Sequence, residues 1–371
     1  MEISKQSQNA GDNSTQMQAG TINNNYYITA TGIDESRARE IWREEYAIAR
    51  QNWTSEAMAI ADSRVHQLED KLLPKMKAYD NSLKFFADPA FQFTLRQAQI
   101  TAASSERESD LDMLSDLLLH RLEQKDDRQR RLGVCKAIEI VDKITDEALI
   151  ALSIVYAVKK FVPVSDDLQE GLATLDRLYE TLLNNHQLPK TKDWLEHLDL
   201  LSAIRLGMEG IRSFKKIREY MPEQLSKYLV SGVEDNSEEL SKIKLEFAQC
   251  GISTNCLVPH PLKPNYIKLN TSSKVEQIII TKTVDGQTTQ SFLDDKQTEA
   301  VNRAIAILRK DESSSTIMRD NLMNEWDKFP NLKIVKDWWD TLPCHFTITP
   351  VGAALANAYT HGKDPDVPNL Y

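Results

Sequence analysis

The residues best suited to metal chemistry form one short cluster. Cys250, Cys256 and His260 have a Cys-x5-Cys-x3-His spacing, and thiolates and imidazoles are the ligands that zinc prefers. A structural zinc site has four ligands, and only Cys344 or His345 folding back would supply the fourth. Because this is not a standard zinc arrangement, we predict no metal site and no metal cofactor.

Paired carboxylates are the second group of residues that could do chemistry. Asp126-Asp127, Asp166-Asp167 and Asp294-Asp295 are adjacent pairs, but each stands at a predicted helix start or in a polar turn. Asp is favoured there as a cap and by the helix dipole. The chain also lacks the nucleophile-elbow, zinc-protease, phosphate-loop and dinucleotide-binding motifs. We therefore assign no catalytic or cofactor-binding residue, and carboxylates that converge only in the fold remain an alternative.

A basic cluster is the best candidate for contact with nucleic acid. It consists of Arg212, Lys215, Lys216 and Arg218. Apolar residues recur three and four positions apart in the same segment, which indicates a helix with its basic residues on the exposed side. A solvated helix face explains the cluster, and contact with nucleic-acid phosphates is the alternative.

Segment 33–80 is predicted to be one long helix. Apolar residues recur three or four apart from Trp42 to Leu72, and neither Gly nor Pro interrupts the chain between Gly32 and Pro74. A helix of about forty residues is about 60 Å long. We expect it to self-associate as a coiled coil through Trp42, Tyr46 and Trp53. The alternative is that it lies on the rest of its own molecule.

The chain from 81 to 235 is predicted to be an α-helical bundle, because amphipathic segments follow one another with short turns. Its most apolar segment, 148–162, is short for a membrane span, and we expect it to be the central buried helix.

Segment 236–371 is predicted to be an α+β unit resembling a winged helix. Asp285-Gly286 lies between two Thr-rich runs, which predicts a hairpin over 275–292. The final run 345–356 reads as a strand, a Thr cap and a helix that begins with Pro. Residues 330–371 carry three lysines against four aspartates, so this unit is expected to dock protein rather than DNA.

Residues 1–32, which we call the leader, contain a short polar sequence twice. We assign its assembly role to Gln6, Gln8, Gly11, Gln16, Gln18 and Gly20. Such residues cannot build an apolar core, but their amides can stack in ladders between copies of the chain. The leader is therefore predicted to be a β-repeat that drives oligomerisation, and a disordered polar tail is the alternative.

The composition of the chain limits the classes of function and the cellular locations that remain open. The chain has 371 residues, a formal net charge of -10 and four scattered cysteines. An acidic balance argues against a general nucleic-acid binder, and so few cysteines fit a reducing compartment. With no signal-peptide pattern and no apolar run long enough to cross a bilayer, we predict a cytoplasmic protein without membrane contact.

Three stretches together resemble an uncharacterised bacterial family. They are 5–20 in the leader, the helix start 32–39, and Phe86-Ala87-Asp88-Pro89-Ala90-Phe91. Members of that family join a polar repeat to a helical body over nearly their full length. Similar leaders stand before assorted proteins of bacterial conflict and anti-phage systems. The resemblance implies a bacterial, oligomer-forming component of a defence system, and it transfers no catalytic residue.

The favoured hypothesis is an oligomeric interaction or scaffold protein whose partners are itself and another protein. A multimeric winged-helix regulator that binds nucleic acid is the first alternative. An unrecognised hydrolase or nuclease is the second.

Overall fold

The computed structural model describes residues 33–49, 54–124, 127–207, 213–270, 275, 278–284, 287–308 and 315–370. The leader, with the six residues to which we assigned an assembly role, lies outside them. The described chain is mainly helical, as predicted. Its helices are α1 Glu35–Ala49, α2 Ser55–Tyr79, α3 Pro89–Ser104, α4 Glu108–Glu123, α5 Arg128–Ile140, α6 Asp146–Lys160, α7 Leu168–Leu183, α8 Asp193–Leu200, α9 Ile217–Gln224, α10 Glu238–Gln249, α11 Asp295–Leu308, α12 Ser315–Trp326, α13 Pro330–Trp339 and α14 Pro350–Lys363. Its strands are β1 Ile204–Leu206, β2 Val233–Glu234, β3 Leu257–Pro259, β4 Tyr266–Leu269, β5 Ile279–Val284, β6 Gln287–Phe292 and β7 Phe346–Ile348.

The prediction of one long N-terminal helix is wrong, because two helices occupy this segment. Thr54 caps α2, and its side-chain oxygen accepts a hydrogen bond from the Ala57 amide at 3.4 Å. A cap requires extended backbone, so α1 cannot run through this position. Helix α2 then continues through Pro74 to Tyr79. Pro74 is exposed, so water can satisfy the carbonyl that its missing N–H leaves without a partner.

Helix α1 packs on its own chain. Trp42 and Tyr46 are only 2% and 6% exposed, and the Gln99 side-chain amide of α3 donates to the Trp42 carbonyl at 3.0 Å. This corrects the prediction that these two residues face a second copy, since α3 and its neighbours already cover their apolar face. Trp53 lies outside the described residues.

Helix α6 is the central helix of the bundle, as its apolar sequence predicted. Every residue from 148 to 158 is buried. Thr145 caps the helix by accepting from the Ala148 amide at 3.3 Å, and Lys159 and Lys160 form its last turn. Burial on all sides is what an almost uninterrupted apolar run requires.

The end of the chain forms the predicted strand, cap and helix, but these join the bundle. Strand β7 pairs antiparallel with β1, which places Ile348 opposite Ile204. Thr349 then caps α14, and its oxygen accepts from the Gly352 amide at 3.2 Å. Helix α14 packs against α4, α5 and α6. The prediction that 236–371 is one unit is therefore wrong, because pairing with β1 takes this segment away from the hairpin.

A second, smaller core lies within residues 233–308. Helices α10 and α11 pack together with a three-stranded sheet in the order β2-β4-β3, and Phe247 is fully buried there. The predicted hairpin forms between β5 and β6, with Val284 opposite Gln287. The chain thus leaves the bundle, builds this unit and returns. Because β7 pairs elsewhere, the described strands do not assemble the winged helix that we predicted.

No helix within the described ranges is both long enough and apolar enough to cross a membrane.

Candidate functional sites

His260 and the two neighbouring cysteines hold structural contacts. The Nε2–H group of His260 donates to the Val230 carbonyl at 2.6 Å, and Nδ1 accepts from the Leu262 amide at 3.0 Å. Both ring nitrogens are therefore occupied by backbone groups, and burial lowers the pKa of the imidazole. Cys256 lies 3.0 Å from the Ser253 carbonyl. Among the described residues, no group of three or more His, Cys, Asp or Glu side chains is placed to hold a metal ion.

One aspartate of each predicted pair caps a helix. Asp127 accepts from the Arg130 amide at 2.9 Å and Asp167 from the Glu170 amide at 2.9 Å. Asp294 accepts from the Gln297 amide at 2.8 Å, and the Gln297 side chain accepts in return from the Asp294 amide at 3.0 Å. These contacts confirm the capping role for the three aspartates.

The predicted basic cluster lies on the surface at the start of α9. Lys215 forms an ion pair with Glu223 at 2.9 Å, and Arg218 forms one with Asp320 at 2.9 Å. Both pairs are exposed, and Lys216 is exposed as well. Arg212 lies outside the described residues. The carboxylates partly neutralise the two paired cations, which fits the solvated-face interpretation.

A basic pocket, which sequence reasoning missed, lies where α5, α6, β7 and α14 meet. Its volume is about 460 Å³. It is lined by Asp127, Gln129, Arg130, Tyr156, Lys159, Lys160, Thr347, Ile348, Thr349, Pro350 and Ala353. The sequence showed Lys159 and Lys160 only as the end of an apolar helix, and nothing local connects them to Arg130 or to the start of α14.

Lys159 is one of the cations that line the basic pocket. Its Nζ lies 4.4 Å from the centre of the Phe214 ring, and that ring packs edge-on against Phe346 at 5.0 Å. Burial, together with the nearby charge of Lys160, lowers the pKa of the Lys159 ammonium to about 8. At neutral pH the group is still mainly charged, but holding that charge in a partly dry site costs free energy.

Arg130 and Tyr156 complete the polar lining. The Nε of Arg130 lies 3.3 Å from the Asp127 carboxylate. The Tyr156 hydroxyl donates to the Asn357 side-chain oxygen at 3.4 Å, and burial raises its pKa to about 12. Tyr156 is therefore a neutral wall, so the charge of the pocket comes from its basic side chains and Asp127.

An exposed apolar patch lies on α1, α3 and α5, and we call it the α1–α3–α5 patch. It consists of Ile48, Phe93 and Leu132, which are 50%, 66% and 62% exposed. Gln99 contacts Trp42 and Arg96 contacts Glu45. This antiparallel register, continued by one turn, brings Phe93 and Ile48 to the same level along the two helices.

The same patch extends to α5. The Thr94 hydroxyl lies 3.7 Å from the Cys135 sulfur, and Ser104 donates to the Asp142 carboxylate at 2.8 Å. The residue numbers increase in the same direction along both helices from the first contact to the second, so α3 and α5 run parallel. Phe93 and Leu132 therefore lie towards the same end of this helix pair. Three large apolar side chains are therefore exposed towards one end of these three helices.

Comparison with known proteins matches the chain to a family model. No curated protein matches the chain, and no solved structure matches its fold. A family model described as “:-like” matches residues 32–366. The match begins at the end of the leader and runs to the C-terminal tail, so it includes the bundle, the smaller core and the basic pocket. The chain therefore belongs to this uncharacterised family.

Proposed function

We propose that this chain is an assembling interaction protein that binds a second copy of itself through the α1–α3–α5 patch. The exposure of Ile48, Phe93 and Leu132 towards the same end of their helices carries the proposal. Single exposed apolar residues are common on protein surfaces, whereas contiguous ones mark contact surfaces.

The patch stands on a rigid support. Arg96 pairs with Glu45, which is buried, and the fully buried Gln99 binds the backbone of α1. Helices held by such contacts present their side chains in fixed positions, so little conformational entropy is lost when a partner binds.

Charge complementarity favours a second copy as the partner. Helix α5 has four basic residues and one acid, whereas α1 has four glutamates and three arginines. Helix α3 contacts both of them. A twofold axis parallel to α3 would place α5 of one copy against α1 of the other, where their net charges attract.

The leader supports the same proposal from the sequence. Its repeat suits stacking between copies, and such leaders stand before proteins of anti-phage systems. We propose that the leader and the α1–α3–α5 patch assemble the protein in the bacterial cytoplasm, where it acts as a component of a defence system with a further protein partner. The exposed ion pairs of Lys215 and Arg218 make nucleic acid a less favoured partner.

Light scattering on four proteins tests the proposal. They are the full chain, a chain beginning at Asp34, the full chain with Phe93→Asp, and a control with Leu245→Asp. Leu245 is 61% exposed on α10, so the control adds the same charge far from the patch. We expect the full chain and the control to be multimers. Phe93→Asp should weaken the association through the patch by about 30-fold, as for loss of a central contact residue.

The outcomes separate the two assembly elements. If removing the leader alone gives monomers and Phe93→Asp changes nothing, the patch is not an interface. A monomeric full chain contradicts the whole proposal. Circular dichroism melting of Phe93→Asp and Leu245→Asp checks that both variants fold.

A further inference from the structure

We propose that the basic pocket between α5, α6 and α14 binds a phosphate-bearing small molecule of about mononucleotide size. This inference does not depend on self-assembly.

The charge of the pocket is the first reason. Among the described residues, its lining includes Arg130, Lys159 and Lys160 against one carboxylate, Asp127, although the whole chain has a formal net charge of -10. Like charges gathered in a concavity repel one another and raise the local concentration of anions. Because these cations repel one another, holding them together in one concavity is costly unless an anion occupies it.

The position of Lys159 is the second reason. Asp127 is held by Arg130 and by its capping contact, while the ammonium of Lys159 lies over the Phe214 ring. No ion pair of Lys159 is found among the residues that the structure describes. A half-buried ammonium gains most from an anionic ligand, because the surroundings screen that attraction less than water does.

The size and the walls of the pocket define the ligand class. A volume of about 460 Å³ lies in the range of small-molecule sites and far exceeds the space that one phosphate needs. Ile348, Pro350 and Ala353 give one wall an apolar surface. The first turn of α14 also lines the pocket, and the amino end of a helix favours negative charge. A phosphate joined to a sugar or ring would use both the cations and this wall.

Binding should depend on pH with a definite sign. The titratable groups that line the pocket with Lys159, among the described residues, are Arg130 and Asp127 from α5 and Lys160 and Tyr156 from α6. His345 lies beside the Phe214 ring. An anion bound to the ammonium raises its pKa, so the complex holds the proton more tightly than the free protein does. Affinity should therefore fall as the pH rises through about 8.

Isothermal titration calorimetry on the full chain tests the proposal, with AMP, ATP, inorganic phosphate and adenosine as probes. We expect a nucleotide to bind and adenosine to bind at least about tenfold more weakly, since it lacks the charge-assisted contacts. Lys159→Met and Arg130→Gln should each weaken nucleotide binding by about tenfold or more. Lys136→Gln is the matched control, because Lys136 lies on α5 near Glu139 and outside the pocket.

Three results would overturn the proposal. The first is no heat with any phosphate probe, and the second is binding that both pocket variants leave unchanged. The third is a single-stranded oligonucleotide that binds more tightly than the mononucleotides and loses affinity with the same variants, because the site would then bind nucleic acid. Light scattering of the same variants reports assembly separately, so failure here and failure of the assembly proposal are distinguishable.

Discussion

At the scale of single residues, the buried side-chain amide of Asn357 holds the tail 369–370 on the bundle. The Asn357 side-chain oxygen accepts from the Leu370 amide at 3.1 Å, and its amide donates to Asn369 at 2.7 Å. Asn369 in turn forms a hydrogen bond with Nε2 of His120. His120 is only 1% exposed, so the contacts that hold the tail extend into the interior between α4 and α14.

His120 makes stability depend on pH. Burial lowers its pKa from 6.5 to about 4, against the attraction of Asp116 and with repulsion from His361 and Lys75. Above pH 6.5 neither the folded nor the unfolded state binds a proton on the His120 imidazole. Between pH 6.5 and about pH 4 only the unfolded state binds this proton. The free energy of unfolding therefore falls as the pH falls, by roughly 3 kcal/mol at most.

Urea denaturation at about pH 7.5 and about pH 4.5 measures this loss. His120→Gln should reduce the fall in unfolding free energy between the two conditions, because the variant has no imidazole to protonate there. His66→Gln is the control, since His66 is exposed on α2, and it should keep the full fall. An equal fall in His120→Gln and in the unmodified protein would show that other groups cause it.

At the scale of elements, the position of α14 depends on a close approach between its backbone and the backbone just before β1. Thr349 donates to the Ser202 carbonyl at 2.7 Å, just before β1. A Cβ added at Gly352 would lie 2.0 Å from the Ala203 carbonyl oxygen, a distance that real side chains do not adopt. Glycine therefore lets the first turn of α14 touch the chain that leads into β1.

Two glycines of α14 give a matched prediction. Gly352→Ala should destabilise the fold by about 1–3 kcal/mol, because backbone must move to admit the methyl group. Gly362→Ala meets open space and should stabilise the fold by up to about 1 kcal/mol through helix propensity. Thermal unfolding of both variants measures the difference. If Gly352→Ala melts at the temperature of the unmodified protein, the first turn of α14 does not contact the chain before β1 as closely as described.

At the scale of the whole molecule, polar contacts connect the smaller core to the bundle. The Lys268 ammonium of β4 donates to the Asp166 carbonyl at 3.4 Å. The Asn321 amide donates to the Leu262 carbonyl at 2.8 Å. Such contacts orient the two parts, whereas each part derives most of its stability from its own apolar core.

Because the bundle and the smaller core each have their own apolar interior, we expect a mutation in one core to destabilise that part more than the other. Phe247→Ala should destabilise the smaller core by about 3–5 kcal/mol, since the ring is fully buried. Hydrogen exchange should then accelerate more in 233–308 than in α6. Leu245→Ala is the control, because that exposed neighbour on α10 packs little surface. Equal acceleration in both parts would mean that the chain unfolds as one cooperative unit.

The sequence by itself determined the local features of this protein. It predicted the buried helix α6, the β5–β6 hairpin, the caps Asp127 and Asp294, and the strand, cap and helix at the end of the chain. Each depends on residues within a few turns of one another, where apolar periodicity and capping chemistry act. The start of α2 at its cap Thr54 was missed although capping is local, because the apolar periodicity continues across this position.

Only the tertiary structure decided which distant segments meet. Nothing in β7 identifies β1 as its partner, and nothing in α1 shows that α3 covers Trp42, because pairing over such separations depends on the shape of the whole core. For the same reason the sequence did not reveal the basic pocket. Its cations stand at ordinary helix ends, and they form a site only because α14 returns from the far end of the chain to pack against α5 and α6.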